Sequence, residues 1–160
     1  MYALSEEQIG TLIREAKSIP EGLCPVGRMT ERNQHKRKDY DLACDSGNKY
    51  LVAIRQSCLN AWDFSVILGY YLPKVNTVFR LRRYNGKHRH TNTIEKDTFY
   101  RFHIHTATER YQVPGSKEDH FAEATNRYWS LESAIQCLLM DCGFRSPIEE
   151  APLFSQGGQL

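Results

Sequence analysis

Two runs of strict alternation around one turn constrain this chain more than any other feature. Tyr40, Leu42 and Cys44 alternate with polar residues, and Tyr50, Val52 and Ile54 do so again after Asp45-Ser46-Gly47-Asn48. A period of two places alternate side chains on one face of a strand, and a Gly/Asn-containing turn folds two such strands onto each other. The chain is therefore held to a hairpin-built sheet. Residues 64–72, 75–84 and 97–111 read as third, fourth and fifth strands, and their short connections make the sheet antiparallel.

Helical signals bracket the strands. Ser5 with Gln8 three residues on forms a capping box, with Leu4 and Ile9 as its hydrophobic staple. Ile9, Leu12, Ile13 and Ala16 then recur at helical spacing up to Pro20. Near the other end Leu131, Ile135, Leu138 and Cys142 fall on one stripe, closed by Gly143. The expected fold is α+β, an antiparallel sheet of about five strands with an N-terminal and a C-terminal helix packed on one face. Residues 20–37 read as a long loop. Residues 1–144 make one domain, and 145–160, with Pro147, Pro152 and Gly157-Gly158, read as an arm or disordered tail.

The 160 residues, 41% hydrophobic and 25% charged, suit one globular domain. Apolar stretches break too soon for a membrane span, and Glu6 and Glu7 fall where a signal peptide would be apolar. The five cysteines, odd in number and without a C-x-x-C pair, fit reduced thiols packed as small hydrophobes. A cytoplasmic protein with no membrane association is expected. Net charge is only +2, but Arg28–Lys38 and Arg80–His90 each hold five Lys/Arg residues, whereas the chain after Glu109 leans acidic. That polarity suits an anionic partner.

The fifth strand carries the chemistry. If alternation runs unbroken, Tyr100, Phe102 and Ile104 face the helices, while Arg101, His103, His105 and Glu109 share the open face. The same rule turns Phe79 and Leu81 inward and Arg80, Arg82 and Tyr84 outward. The loop from Asn85 to Lys96 adds Lys87, His88, Arg89 and His90, so four of the six histidines fall within eighteen residues.

Metal-independent RNA cleavage uses these residue types: imidazoles move protons near neutrality and guanidinium groups clamp phosphate. In that reading His103 and His105 are the acid and base, with His90 as a third candidate. Arg80, Arg82 and Arg101 hold phosphate, supported by Tyr84, Lys87 and Arg89, and no cofactor is needed. RNA or another anionic ligand is the expected partner. The contrasting reading is a non-catalytic interaction module, a mobile-element inhibitor or antitoxin-like partner, whose basic face binds another protein. A third is a metal site, because His103-x-His105 and His88-x-His90 both present paired imidazoles. Arginines nearby would repel a dication, so no bound zinc is expected. The plainest reading of His-x-His on a strand is a solvated surface pair. No P-loop, G-x-G-x-x-G or G-x-S-x-G motif is present.

The stretch Phe79–Phe144 resembles a group of uncharacterised small bacterial proteins. The likeness rests on His103-Ile-His105-Thr-Ala-Thr-Glu109-Arg-Tyr-Gln112, Phe121-Ala-Glu123, Asn126-Arg-Tyr128 and Asp141-Cys-Gly-Phe144. Its layout of arginine strand, His-rich loop, His-containing strand and closing helix is similar, more distantly, to toxin subunits of bacterial toxin–antitoxin pairs. The resemblance implies no established activity; the toxin-like layout adds to the ribonuclease reading and fixes no catalytic residue.

Overall fold

The structure, a computed structural model, describes residues 3–146. Helix α1 (Glu6–Arg14) starts at the expected capping box, where the Ser5 hydroxyl accepts from Gln8 N and the Gln8 side chain accepts from Ser5 N. Strand β1 (Lys17–Ser18) follows, then β2 (Thr30–Arg32), β3 (His35–Ala43), β4 (Lys49–Ser57), β5 (Phe64–Tyr71), β6 (Val78–Asn92), β7 (Asp97–Thr106) and β8 (Ala122–Ala124). Helix α2 (Leu131–Asp141), capped by Ser130, and β9 (Phe144–Arg145) complete the order.

The fold is α+β as expected, but the main sheet has seven strands, an antiparallel meander β2 to β8 in chain order. Of the two extra strands, β2 lies in the segment read as a loop and β8 in a stretch to which the sequence assigns no element. β2 pairs with the start of β3, so the basic run is a hairpin, and β8 pairs with His103–His105. β1 and β9 form a separate parallel pair. Arg145 thus lies in a strand opposite Ser18, while the rest of the expected tail, from 147, lies outside the described residues. No helix among the described residues is long and apolar enough to cross a membrane.

One core holds these elements. Tyr50, Val52 and Ile54 of β4 and Phe64, Val66 and Leu68 of β5 meet Ile9 and Ile13 of α1 and Leu131, Ile135 and Leu138 of α2. Burying aliphatic side chains of this size contributes about 1.5–3 kcal/mol each. Phe79 and Leu81 are buried there as expected, whereas Phe102 and Ile104 are half-buried at its edge and Tyr100, 63% exposed, lies beyond it. The ends of the two helices share one cation. The buried Lys17 Nζ donates to the carbonyls of Leu12, Ile13, Glu15 and Cys142 at 2.8–2.9 Å, groups left without helical partners. Gly143 makes this junction close: its φ is +77°, and a Cβ there would lie 2.4 Å from the Glu15 carbonyl oxygen.

Candidate metal centre

Strand β6 does not alternate without interruption, and its two breaks build the site. Against β5, Leu68 pairs with Arg82 but Gly69 pairs with Arg80, leaving Leu81 as an extra residue. Against β7, Asn85 pairs with His103 and His88 with Arg101, so Gly86 and Lys87 together face Phe102. Each bulge advances the side-chain phase by one residue. The first turns Tyr84 toward α2 and Arg83 and Asn85 to the opposite face. The second puts His88 and His90 on that opposite face with His103 and His105, which unbroken alternation from Tyr84 would forbid.

The open-face reading of the arginine strand is accordingly corrected. Arg82 and Tyr84 lie against α2, where the Tyr84 hydroxyl donates to Asp141 at 2.6 Å and Arg82 approaches the same carboxylate at 3.4 Å. Arg127 completes this group with two bonds to Asp141, at 2.8 and 2.9 Å. Arg80 remains on the histidine side, bound to Glu118 at 3.2 Å. Lys87 and Arg101 lie apart from the histidines: Lys87 Nζ sits 5.5 Å from the Trp62 ring centre, and Arg101 lines a groove with Asn126 and Trp129. Arg89 is exposed opposite Tyr100. Glu109 orients no histidine; its carboxylate accepts from Glu6 N at 2.8 Å, at the N-terminal end of α1.

The histidine face is not open either. The irregular segment 107–121 roofs it, leaving His103 0% and His105 2% exposed. Beneath that roof the imidazoles crowd together. Ring centres of His103 lie 4.6 Å from His88, 5.4 Å from His90 and 5.0 Å from His105. His90 is 4.8 Å from His105 and 5.0 Å from His120. Of the segment that read as a His-rich loop, Asn85–Asn92 is the second half of β6 and 93–96 the turn, and strand geometry holds this spacing.

Hydrogen bonds fix the tautomers. His103 Nδ1 donates to the Arg101 carbonyl at 2.7 Å and His105 Nδ1 to the Asp119 carbonyl at 2.8 Å. Each ring then keeps its lone pair on Nε2, and both Nε2 atoms are buried without a hydrogen-bond partner. Asn92 sets the third ring. It is locked to Ala122 through both backbone groups, at 2.8 and 2.9 Å, and its Oδ1 accepts from His90 Nε2 at 2.9 Å. A neutral His90 therefore carries its lone pair on Nδ1. One ring nitrogen from each of His90, His103 and His105 lies within 4.8 Å of the others. Nitrogens bound tetrahedrally to zinc at 2.0–2.1 Å stand about 3.4 Å apart, somewhat closer than the 4.8 Å limit of this cluster.

The environment keeps the rings neutral. Burial first, then the charges of His88, His90 and Arg83, pushes His103 down to about 4. Burial, followed by Arg83, pushes His105 down to about 2. His88 and His90 are lowered too, chiefly by burial, although bonds to Asn92 and the His120 backbone oppose the shift at His90. The cationic surroundings are largely compensated. Arg83 lies 3.0 Å from the fully buried Asp119, Arg80 lies 3.5 Å from the same carboxylate, and Glu118 adds a second anion. Repulsion of a dication by free guanidinium groups, expected from the sequence, is much reduced.

No family model, no curated protein and no solved structure matches the chain. The site must be read from its own chemistry. Of the sequence candidates, His90, His103 and His105 come together, Arg80 stands behind them, and Arg82, Tyr84, Lys87, Arg89 and Arg101 do not join them. Arg83, Asn92, Asp119 and His120 went unassigned. His88-x-His90 was the one signal for the second half of the cluster; Asn92 and Asp119 act through backbone contacts that no motif announces.

Proposed function

We propose that this chain is a metal-binding protein whose centre is His90, His103 and His105, and that it takes a first-row divalent transition ion such as zinc. One observation carries the reading: two buried imidazoles, each held by a carbonyl at Nδ1 and each with an unpartnered Nε2, stand in a cluster with a third. Unsatisfied buried acceptors cost about 1–3 kcal/mol each, a penalty that a metal ion relieves. Anchoring the distal ring nitrogen is what metal-ligating histidines do, and imidazole sets suit zinc, copper, iron or nickel.

Three protein ligands leave coordination positions free, which distinguishes a reactive centre from a closed structural one. Those positions would face a cavity of about 510 Å³ bordered by Arg83, His88 and His120. An ion there could activate water or polarise a bound oxygen. The same arrangement weakens the ribonuclease reading. Burial holds both rings toward the neutral form, which disfavours a general-acid role near neutral pH, and both are shielded from solvent. Elemental analysis of protein purified without chelator tests the proposal, with about one transition ion per chain expected. A His103→Ala/His105→Ala variant that folds and retains the same metal content would contradict it.

A further inference from the structure

The wall of the cavity beside the three histidines has a consistent chemistry. Arg83, Asn85, Thr93, Ser116, Lys117 and His120 border it, and no Asp or Glu is among the described residues that line it. Asp119 sits behind Arg83 rather than in the cavity, with its carboxylate 3.0 Å from Arg83 Nε. Asn85 Oδ1 is engaged by the Ser65 hydroxyl at 2.8 Å, which leaves its amide as a donor at the cavity wall. Donors and cations therefore border the space, and anions are confined to the layer behind it. Adding a dication at the histidines makes the interior strongly positive.

A volume of about 510 Å³ is that of a small-molecule site rather than a polymer groove. We infer that the cavity binds a small oxyanion, carboxylate or phosphate, which completes the metal's coordination through one oxygen and meets Lys117 and the Arg83 side of the wall through the others. This rests on the metal reading above. Lys117 is exposed on the roofing segment, within Pro114-Gly115-Ser116-Lys117, and is the lysine among the residues that border the cavity. Charge-assisted bonds to such a group are the stronger kind, so its removal has a measurable effect.

The test uses the full chain loaded with cobalt(II), whose visible absorption reports its ligands. Inorganic phosphate and oxalate are titrated separately, with and without cobalt. The expected result is a band shift with at least one anion, binding at least about 10-fold weaker to the metal-free protein, and a loss of about 10-fold in Lys117→Gln with cobalt uptake unchanged. The anion with the larger response assigns the ligand as phosphate or carboxylate. A loaded protein whose spectrum ignores both anions at millimolar concentration overturns this inference alone, as does unchanged anion affinity in Lys117→Gln. A protein that never takes up cobalt overturns the metal reading and this inference with it.

Discussion

Gly86 and Trp62 approach so closely that a Cβ on the glycine would lie 1.8 Å from the tryptophan carbonyl oxygen. That carbonyl also accepts from Lys87 N at 2.9 Å, which fixes the second bulge of β6 against the residues just before β5. A backbone contact far from any reactive atom thus decides which way His88 and His90 point.

Gly86→Ala should therefore damage the site as well as the fold. Overpacking typically costs about 1–3 kcal/mol, and here the obstruction is backbone that cannot rotate aside. The expected outcome is a loss in that range by urea denaturation, together with a fall in zinc affinity of about 10-fold or more in calorimetry. Unchanged zinc binding in a folded Gly86→Ala protein would mean that the bulge does not place His90.

Asn92 is buried and does not border the cavity beside the histidines, yet it holds His90 and ties the start of β8 to the end of β6. Outer partners of metal-ligating histidines are worth about 10–100-fold in affinity. Asn92→Ala should lower zinc affinity by that factor while one ion still binds per chain. If its affinity equals that of the unaltered protein, His90 ligates without this anchor or does not ligate.

The metal-free protein should lose stability as the pH falls below 6.5. The unfolded chain takes up protons at its histidines near 6.5, whereas folded His103 and His105 resist them down to about 4 and about 2. Between those limits the unfolded state binds more protons, so unfolding free energy drops with falling pH, by up to about 1.4 kcal/mol per pH unit for each ring. Above 6.5 both states are neutral there and the contribution is flat. Urea titrations at pH 7, 6 and 5 read the effect before carboxylates protonate, and a His103→Gln/His105→Gln variant should show a shallower slope. Equal stability of the unaltered protein at pH 7 and pH 5 would show that these rings are not held neutral.

What the sequence revealed and hid follows from where information is local. The capping box at Ser5, the stripe of α2 and the β3–β4 hairpin are written in neighbouring residues, and all were legible. The sequence also put His103 and His105 on one strand face, but it placed His90 on a loop and did not fix how the three rings meet. The faces of β6 were not legible, because its bulges lie where Leu81 is left unpaired between the Gly69–Arg80 and Leu68–Arg82 pairs and where Gly86 meets Trp62, contacts between distant residues. Arg82 and Tyr84 were consequently assigned to the wrong side. The burial of His103 and His105 was hidden for the same reason: residues 107–111, read as the end of the fifth strand, leave the sheet after Thr106, and only the folded position of 107–121 makes it a roof.

The most direct test of the central claim is X-ray absorption at the zinc edge on protein reconstituted with one equivalent of zinc. The account predicts three imidazole nitrogens at about 2.0–2.1 Å, with the remaining coordination from oxygen. The multiple-scattering signal of the imidazole rings should fall in the His103→Ala/His105→Ala variant. A first shell containing sulfur at about 2.3 Å, or oxygen alone, would contradict it.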